Sequence, residues 1–174
     1  MINSTKSENA PSPHQPKKLY NGLEKIGSGN FTNLYVLDAS VAVKWVLSGE
    51  PYTEEANKLR DALLSGAVQV CAPSLLMHEV ANSIWKAAMR RRISTADAHE
   101  ALHGLDEVQI DLRELSPQQV AEELDIACEF DVTTYDAAYL LLSEKTKAKL
   151  VTADDKLYEK AKPHFRVVHL KDYV

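Results

Sequence analysis

Cysteine is scarce in this chain. There are only two, Cys71 and Cys128, and they do not form a C-x-x-C pair. A zinc knuckle needs such pairs, so this class does not fit. Both cysteines lie among apolar residues, where a free thiol behaves as a small hydrophobic side chain. We therefore expect two reduced, buried thiols and no disulfide.

Long apolar runs are also missing. A membrane-spanning helix needs about 20 consecutive apolar residues, and no run approaches that length. The first thirty residues lack the apolar core of a secretory signal. We therefore expect a cytoplasmic protein. The 174 residues, 45% of them hydrophobic, are enough for one domain with a proper core but too few for two comfortable ones.

Positive charge is in deficit. The chain has 20 Lys and Arg against 25 Asp and Glu, a net charge of -5. This balance excludes a protein that holds duplex nucleic acid by a broad positive surface. If the protein handles nucleic acid, it must use local basic patches or metal ions that offset its carboxylates.

Residues 1–32 have few large apolar side chains and contain three prolines, Pro11, Pro13 and Pro16. This composition is typical of a flexible extension outside the fold. We therefore predict a flexible N-terminal extension at 1–32 and a single domain at 33–174.

Beyond residue 32, short apolar runs alternate with helical patterns. Continuous apolar runs predict buried strands at 34–37, 68–71, 110–115, 150–151 and 167–168. The segments between them have the spacing of amphipathic helices, and the two tryptophans, Trp45 and Trp85, are expected in the core. The resulting order, β-α-α-β-α-α-β-α-α-β-α-β, predicts an α/β fold with a parallel sheet.

The chain is organised around residues 33–44, NLYVLDASVAVK, where an apolar strand ends in an aspartate and a helix begins. Asp38 would lie at the carboxyl end of a central parallel strand, where crossover loops leave a crevice for ligands. Alternatively, Asp38 merely caps the following helix, a role in which aspartate is common. The sequence leaves both interpretations open.

A second acid, Glu79, lies one turn into the helix predicted from Leu75 to about Arg91. Asn82, Ser83 and Lys86 share its face, so that an acid and its polar neighbours form one stripe. A solvated helix face would explain the same pattern. Basic side chains on and after this helix could contact RNA phosphates or simply complement the helix dipole: Lys86, Arg90, Arg91 and Arg92.

Asp136 precedes the apolar run of a further predicted helix. The spacing Thr133-x-x-Asp136 is a capping box, which would fully explain this aspartate. An unpaired charge is very costly in a protein core, however, so a carboxylate in the first turn of such a helix must lie at a crevice.

Asp154 repeats the pattern of Asp38, because it follows the apolar strand predicted at 150–151. The spacing Thr152-x-x-Asp155 could cap the next helix, which would leave Asp154 free for another task. Asp38, Asp136 and Asp154 should then lie on the same rim of one parallel sheet.

Carboxylates gathered on one rim repel one another and resist ionising together unless a divalent cation neutralises them. A ligand set made only of oxygens favours Mg²⁺ or Mn²⁺ over zinc. Such a site suits phosphodiester hydrolysis, in which the metal activates water and stabilises charge that develops on the phosphate.

The acids lie in four short motifs: VLDASV at 36–41, HEVAN at 78–82, TYDAAY at 134–139 and LVTAD at 150–154. In this order and spacing the motifs resemble a PIN domain, specifically the VapC-type toxin ribonucleases of toxin–antitoxin pairs. The resemblance covers roughly residues 33–174 and implies an α/β/α sandwich around a central parallel β-sheet.

The resemblance also implies a function, namely metal-dependent endonucleolytic cleavage of single-stranded RNA with Mg²⁺ or Mn²⁺. It gives the catalytic, metal-binding role to four acids: Asp38, Glu79, Asp136 and Asp154. Ser40 and Thr152 become polar supports, and Asp155 is an extra acid beside the fourth ligand. Such toxins are held inactive by a small antitoxin protein, usually as homodimers.

Two alternatives stay open. The same nuclease could have a housekeeping role in RNA processing, which a neighbouring antitoxin gene or growth arrest on expression would distinguish. A PIN-like module without activity could instead serve as a binding protein, and failure to bind Mn²⁺ would favour it.

Overall fold

The computed structural model describes residues 33–173, and the extension predicted at 1–32 lies outside the described residues. Within that range the strands are Leu34–Leu37 (β1), Gln69–Pro73 (β2), Asp111–Arg113 (β3), Lys149–Thr152 (β4) and Val167–His169 (β5). The helices are Ala39–Val46 (α1), Thr53–Leu64 (α2), Leu75–Met89 (α3), Thr95–Asp106 (α4), Pro117–Phe130 (α5), Thr134–Thr146 (α6) and Asp155–Ala161 (α7). A short 3₁₀ helix, Leu170–Asp172, follows β5. The predicted order of elements is confirmed.

The five strands form one parallel sheet in the order β3-β2-β1-β4-β5. Helices cover the sheet, so the central strand β1 is apolar along its whole length, and Val36 and Leu37 are fully buried. The predicted α/β fold with a central parallel sheet is confirmed.

The register of β1 and β4 determines where two of the acids lie. These strands are neighbours, and Leu37 lies opposite Val151. The backbone N–H of Asp38 extends this pairing by donating to the carbonyl of Val151 at 3.1 Å. The segments that leave the two strands, Asp38–Ser40 and Ala153–Asp154, therefore emerge side by side at the carboxyl edge of the sheet.

Helix α6 is the most deeply buried helix of the described part of the chain. Its residues 137–143 are all buried, and it packs against β1, β2, β4 and α5. A helix that is covered on most sides has an apolar sequence all round rather than one apolar face. This packing holds the first turn of α6, with Asp136, against the sheet edge.

Two predictions about burial were wrong. The side chain of Trp85 is 56% exposed, because α3 turns Ile84 and Ala87 toward the core and leaves the intervening face to solvent. Cys128 is exposed, since it lies one position after buried Ala127 and so points about 100° away around α5.

Two other predictions about burial agree with the structure. Cys71 is buried in β2, and burial raises the pKa of its thiol to about 11. Trp45 packs partly buried against the core, and its indole N–H donates to the carbonyl of Ala56 at 2.7 Å. Among the helices of residues 33–173, none is both long enough and apolar enough to span a bilayer.

Candidate active site

A polar cleft of about 340 Å³ opens at the carboxyl edge of the sheet. We call it the acidic cleft. Its walls come from the ends of β1 and β4, from α1 and α3, and from the start of α6. The polar residues that line it are Asp38, Ser40, Lys44, Glu50, Glu79, Asn82, Ser83, Lys86, Asp136 and Asp154. The four acids of the sequence motifs thus meet in one place.

Asp38 lies at the bottom of the acidic cleft and is only 6% exposed. It occupies the N-cap position of α1, yet its side chain makes no capping hydrogen bond. Its Oδ2 instead accepts hydroxyl hydrogen bonds from Ser40 at 2.6 Å and Thr152 at 2.5 Å. The interpretation of Asp38 as a simple helix cap is therefore wrong.

The two hydroxyls beside Asp38 are held in place from the backbone. Ser40 Oγ accepts the N–H of Ala153 at 2.9 Å, and Thr152 Oγ1 accepts the N–H of Asp154 at 3.0 Å. Each hydroxyl therefore directs its own proton toward the carboxylate of Asp38. These bonds favour the ionised carboxylate, but burial outweighs them and raises the pKa of Asp38, with the charge of Asp136 adding to the rise.

Glu79 reaches the acidic cleft from α3. Its Oε2 accepts a 2.6 Å hydrogen bond from the hydroxyl of Tyr139, which is 1% exposed on α6. Partial burial raises the pKa of Glu79, and the charges of Asp38 and Asp136 raise it further. Asn82, Ser83 and Lys86 line the same wall, so the polar stripe predicted on this helix faces the cleft.

Asp136 is both a cap and a cleft residue. It forms a capping box with Thr133, whose hydroxyl and backbone N–H donate to Asp136 Oδ2 at 2.7 and 3.2 Å. The cap holds the carboxylate in a fixed position in the first turn of α6. The capping and cleft interpretations of this residue are therefore compatible.

Asp154 differs from the expectation that Thr152 and Asp155 would cap α7 and leave it free. Asp154 is itself the N-cap, and its Oδ1 accepts the N–H groups of Lys156 at 2.7 Å and Leu157 at 3.0 Å. Thr152 is withdrawn from capping because its hydroxyl serves Asp38. Asp154 nevertheless lines the acidic cleft.

Asp155 does not join the acidic cleft. Its Oδ1 lies 3.1 Å from Nε2 of the buried His169 on β5, and its side chain is otherwise 77% exposed. The first residue of α7 points away from Asp154 because successive helical residues are about 100° apart. The prediction of Asp155 as a polar support of the site does not match this placement.

The chemistry of the donors fits a hard divalent cation. All four acids offer oxygen, and in each of them one oxygen receives the protein's own hydroxyl or amide donors. Within residues 33–173, however, no three His, Cys, Asp or Glu side chains are close enough together to hold a metal ion. The metal site stays a prediction, and the four carboxylates are the residues that would form it.

The basic residues predicted to contact RNA occupy different surroundings. Lys86 lines the acidic cleft. Arg92 instead donates to Glu50 Oε1 at 3.0 Å and to the carbonyl of Ser48 at 3.1 Å, which ties the end of α3 to the loop after α1. Arg90 and Arg91 are exposed at the end of α3 and are not part of the cleft wall.

Sequence reasoning missed three residues of this site: Lys44, Glu50 and Tyr139. Lys44 follows Ser40 by four positions and Tyr139 follows Asp136 by three, and both spacings place the residue on the same helix face as a residue already singled out. Those spacings were the available signal. Glu50 lies in the loop after α1, and nothing in the sequence indicates that this loop folds back to the cleft.

Fold and site together define a class of protein, namely α/β proteins whose acidic cleft lies at the carboxyl edge of a parallel sheet. The sequence model of the PIN domain matches residues 35–163. The chain therefore belongs to the PIN domain family.

Two relatives from Pyrobaculum aerophilum are similar in sequence. Ribonuclease VapC3 is 35% identical over 108 residues, which is 62% of this chain and 82% of the relative. Exonuclease VapC9 is 33% identical over 128 residues, which is 74% of this chain and 86% of the relative.

Solved structures share the fold. The crystal structure of PAE2754 from Pyrobaculum aerophilum has a TM-score of 0.60 and 25% identity, over 80% of this chain and 92% of that chain. VapBC2 from Rickettsia felis, bound to a DNA fragment from their promoter, has a TM-score of 0.55 and 12% identity, over 78% of this chain and 98% of that chain. At 12% identity this second likeness applies to the fold alone.

Proposed function

We propose that this protein is an endoribonuclease that hydrolyses phosphodiester bonds of single-stranded RNA, and that it is the toxin of a toxin–antitoxin pair. The observation that carries the proposal is the convergence of Asp38, Glu79, Asp136 and Asp154 on one cleft. The similarity to Ribonuclease VapC3 supports it.

We assign to the four acids the binding of Mg²⁺ or Mn²⁺. When bound there, the metal would activate water and stabilise charge on the phosphate. The contribution of the chain itself is to hold the carboxylates in place. Ser40 and Thr152 orient Asp38, and Tyr139 orients Glu79. Capping hydrogen bonds to their carboxylates orient Asp136 and Asp154.

An exonuclease is the second candidate, because one relative is named Exonuclease VapC9. A circular single-stranded RNA has no ends, so only an endonuclease can cut it. We expect the purified protein with Mn²⁺ to linearise a circular RNA at about the rate at which it cuts the linear form. Degradation of the linear RNA from its ends, with the circle intact, would make the protein an exonuclease.

We further propose a small antitoxin as partner and a homodimer as the working state. The sequence similarity to two relatives named VapC, the class of toxin that the four motifs resemble, supports the first. The homodimer is supported by Trp85 and Met89, two exposed apolar residues four positions apart on α3, which a dimer interface would bury.

Growth arrest on expression, relieved by co-expression of a neighbouring small protein, is the expected result for a toxin. Light scattering on the co-purified complex should give a mass that contains two copies of this chain. Normal growth would favour a housekeeping nuclease instead, and a mass with one copy would exclude the dimer.

A further inference from the structure

The wall of the acidic cleft includes a largely buried lysine that the proposed metal chemistry does not use. Lys44 lies on α1, four residues after Ser40, and only 8% of it is exposed. A lysine is rarely buried to this extent unless it is paired. Among residues 33–173, however, no carboxylate forms an ion pair or hydrogen bond with Lys44.

The two acids whose charges act on Lys44 are already engaged. Glu50 accepts the guanidinium of Arg92 at 3.0 Å, and Asp38 accepts the hydroxyls of Ser40 and Thr152. Both carboxylates attract the ammonium group of Lys44, but burial has the larger effect and lowers its pKa. Among the described residues, no acceptor takes up the hydrogen bonds that the ammonium group of Lys44 can donate, so the group is available to a ligand in the cleft.

An RNA backbone that enters this cleft needs such a group. The carboxylates that line it, Glu50 among them, repel a phosphate. Among the described residues, the other cation of the wall is Lys86, and it is exposed to solvent. A charge of low exposure is screened less by water and salt than a surface charge, so it attracts an anion more strongly. An ammonium group also offers three donors to phosphate oxygens.

We infer that Lys44 is a substrate-binding residue whose ammonium group contacts a phosphate of single-stranded RNA in the acidic cleft. This inference rests on the proposed function, because it takes RNA as the substrate. It adds a residue that acts on the phosphate directly, beside the four carboxylates assigned to the metal.

The inference is tested by measuring RNA binding in EDTA, which removes the metal needed for cleavage. The full chain is titrated into a fluorescently labelled single-stranded RNA in EDTA, and anisotropy is followed from about 20 to 200 mM KCl. Each phosphate contact with a single strand contributes about 0.7 to the slope of log K against log salt. Lys44→Met should therefore bind about tenfold or more weakly at low salt and lose about 0.7 of slope, whereas Lys44→Arg should keep the slope.

The matched control is Lys149→Met, which removes the same charge from an exposed position at the opposite, amino-terminal end of β4. It should bind RNA as the unaltered protein does. Thermal unfolding of Lys44→Met should occur at or above the unaltered temperature, since the change removes a buried charge.

Three results would overturn the inference. Lys44→Met could show the same slope of log K against log salt as the unaltered protein, or Lys149→Met could weaken RNA binding as much as Lys44→Met does. The third is that the unaltered protein binds no RNA at low salt. If the unaltered protein binds RNA through Lys44 but cuts none with Mn²⁺, the nuclease proposal fails while the lysine contact stands. The two proposals are therefore tested separately.

Discussion

Asp38→Asn should lower the rate of RNA cleavage at least about a hundredfold and leave the protein folded. A bound metal supplies several kcal/mol of transition-state stabilisation, and each 1.36 kcal/mol corresponds to a factor of ten in rate. Asp38 lies deepest among the four acids and is held by two short hydroxyl hydrogen bonds. The measurement is cleavage of the circular RNA with Mn²⁺ under single-turnover conditions.

The same variant should unfold at an equal or higher temperature when no metal is present. Burial raises the pKa of Asp38, which means that its charge costs stability in the folded protein, and the neutral amide removes that cost. Loss of activity together with retained stability separates a role in the reaction from a role in folding.

Asp155→Asn is the control for Asp38→Asn. It makes the same chemical change at the residue next to Asp154 in the chain, whose carboxylate faces His169 rather than the acidic cleft. Its cleavage rate should stay within about twofold of the unaltered protein. Unchanged cleavage by Asp38→Asn would contradict the assignment of the site, and a protein that neither cuts RNA nor binds Mn²⁺ would be an inactive binding module.

Removal of divalent metal should abolish cleavage and make the folded protein lose stability as the pH rises through the range in which Asp38 and Glu79 ionise. In EDTA, the raised pKa values of Asp38 and Glu79 mean that the folded protein binds more protons than the unfolded chain. The contribution of these two carboxyls to the free energy of unfolding therefore falls as pH rises from about 4, their range in the unfolded chain, through the raised values.

Mn²⁺ should oppose this fall, because it binds the ionised carboxylates of the folded protein. At a hundred times its dissociation constant a ligand adds about 2.7 kcal/mol, or roughly 5 to 10 °C in the melting temperature of a domain of this size. The difference between Mn²⁺ and EDTA should grow from pH 5 to pH 8 and disappear in Asp38→Asn. A gain of the same size in that variant, or one independent of pH, would place the metal elsewhere.

The order of the elements was predictable because it depends on local patterns. The continuous apolar run of β1 and the capping box at the start of α6 are short-range signals. Helix capping by Thr133 and Asp136 was predicted from their spacing alone and is confirmed. The tryptophan on α3 was misplaced, since periodicity identifies a face of a helix but does not say whether another element covers it.

The four acids were singled out before their geometry was known. Asp38 and Asp154 follow strands and Asp136 begins a helix, and parallel strands end on one rim. Glu79 was singled out because polar residues share its helix face. What each carboxylate does was less predictable. Asp38 was expected to cap or to bind, and the choice depended on Thr152, which lies 114 residues away in the chain and donates to it. Because the hydroxyl of Thr152 is bonded to Asp38, Asp154 caps α7 in its place.

The sequence by itself determined the class of fold and the identity of the acids, since both follow from the chemistry and spacing of neighbouring residues. Only the tertiary structure decided which side chains share the acidic cleft. It brought Glu50 in from a loop, buried most of Lys44 without an ion pair to any carboxylate of the described residues, and turned Asp155 toward His169. The physical reason is that burial, charge and hydrogen bonding at a site depend on distances between residues far apart in the chain, which no local pattern encodes.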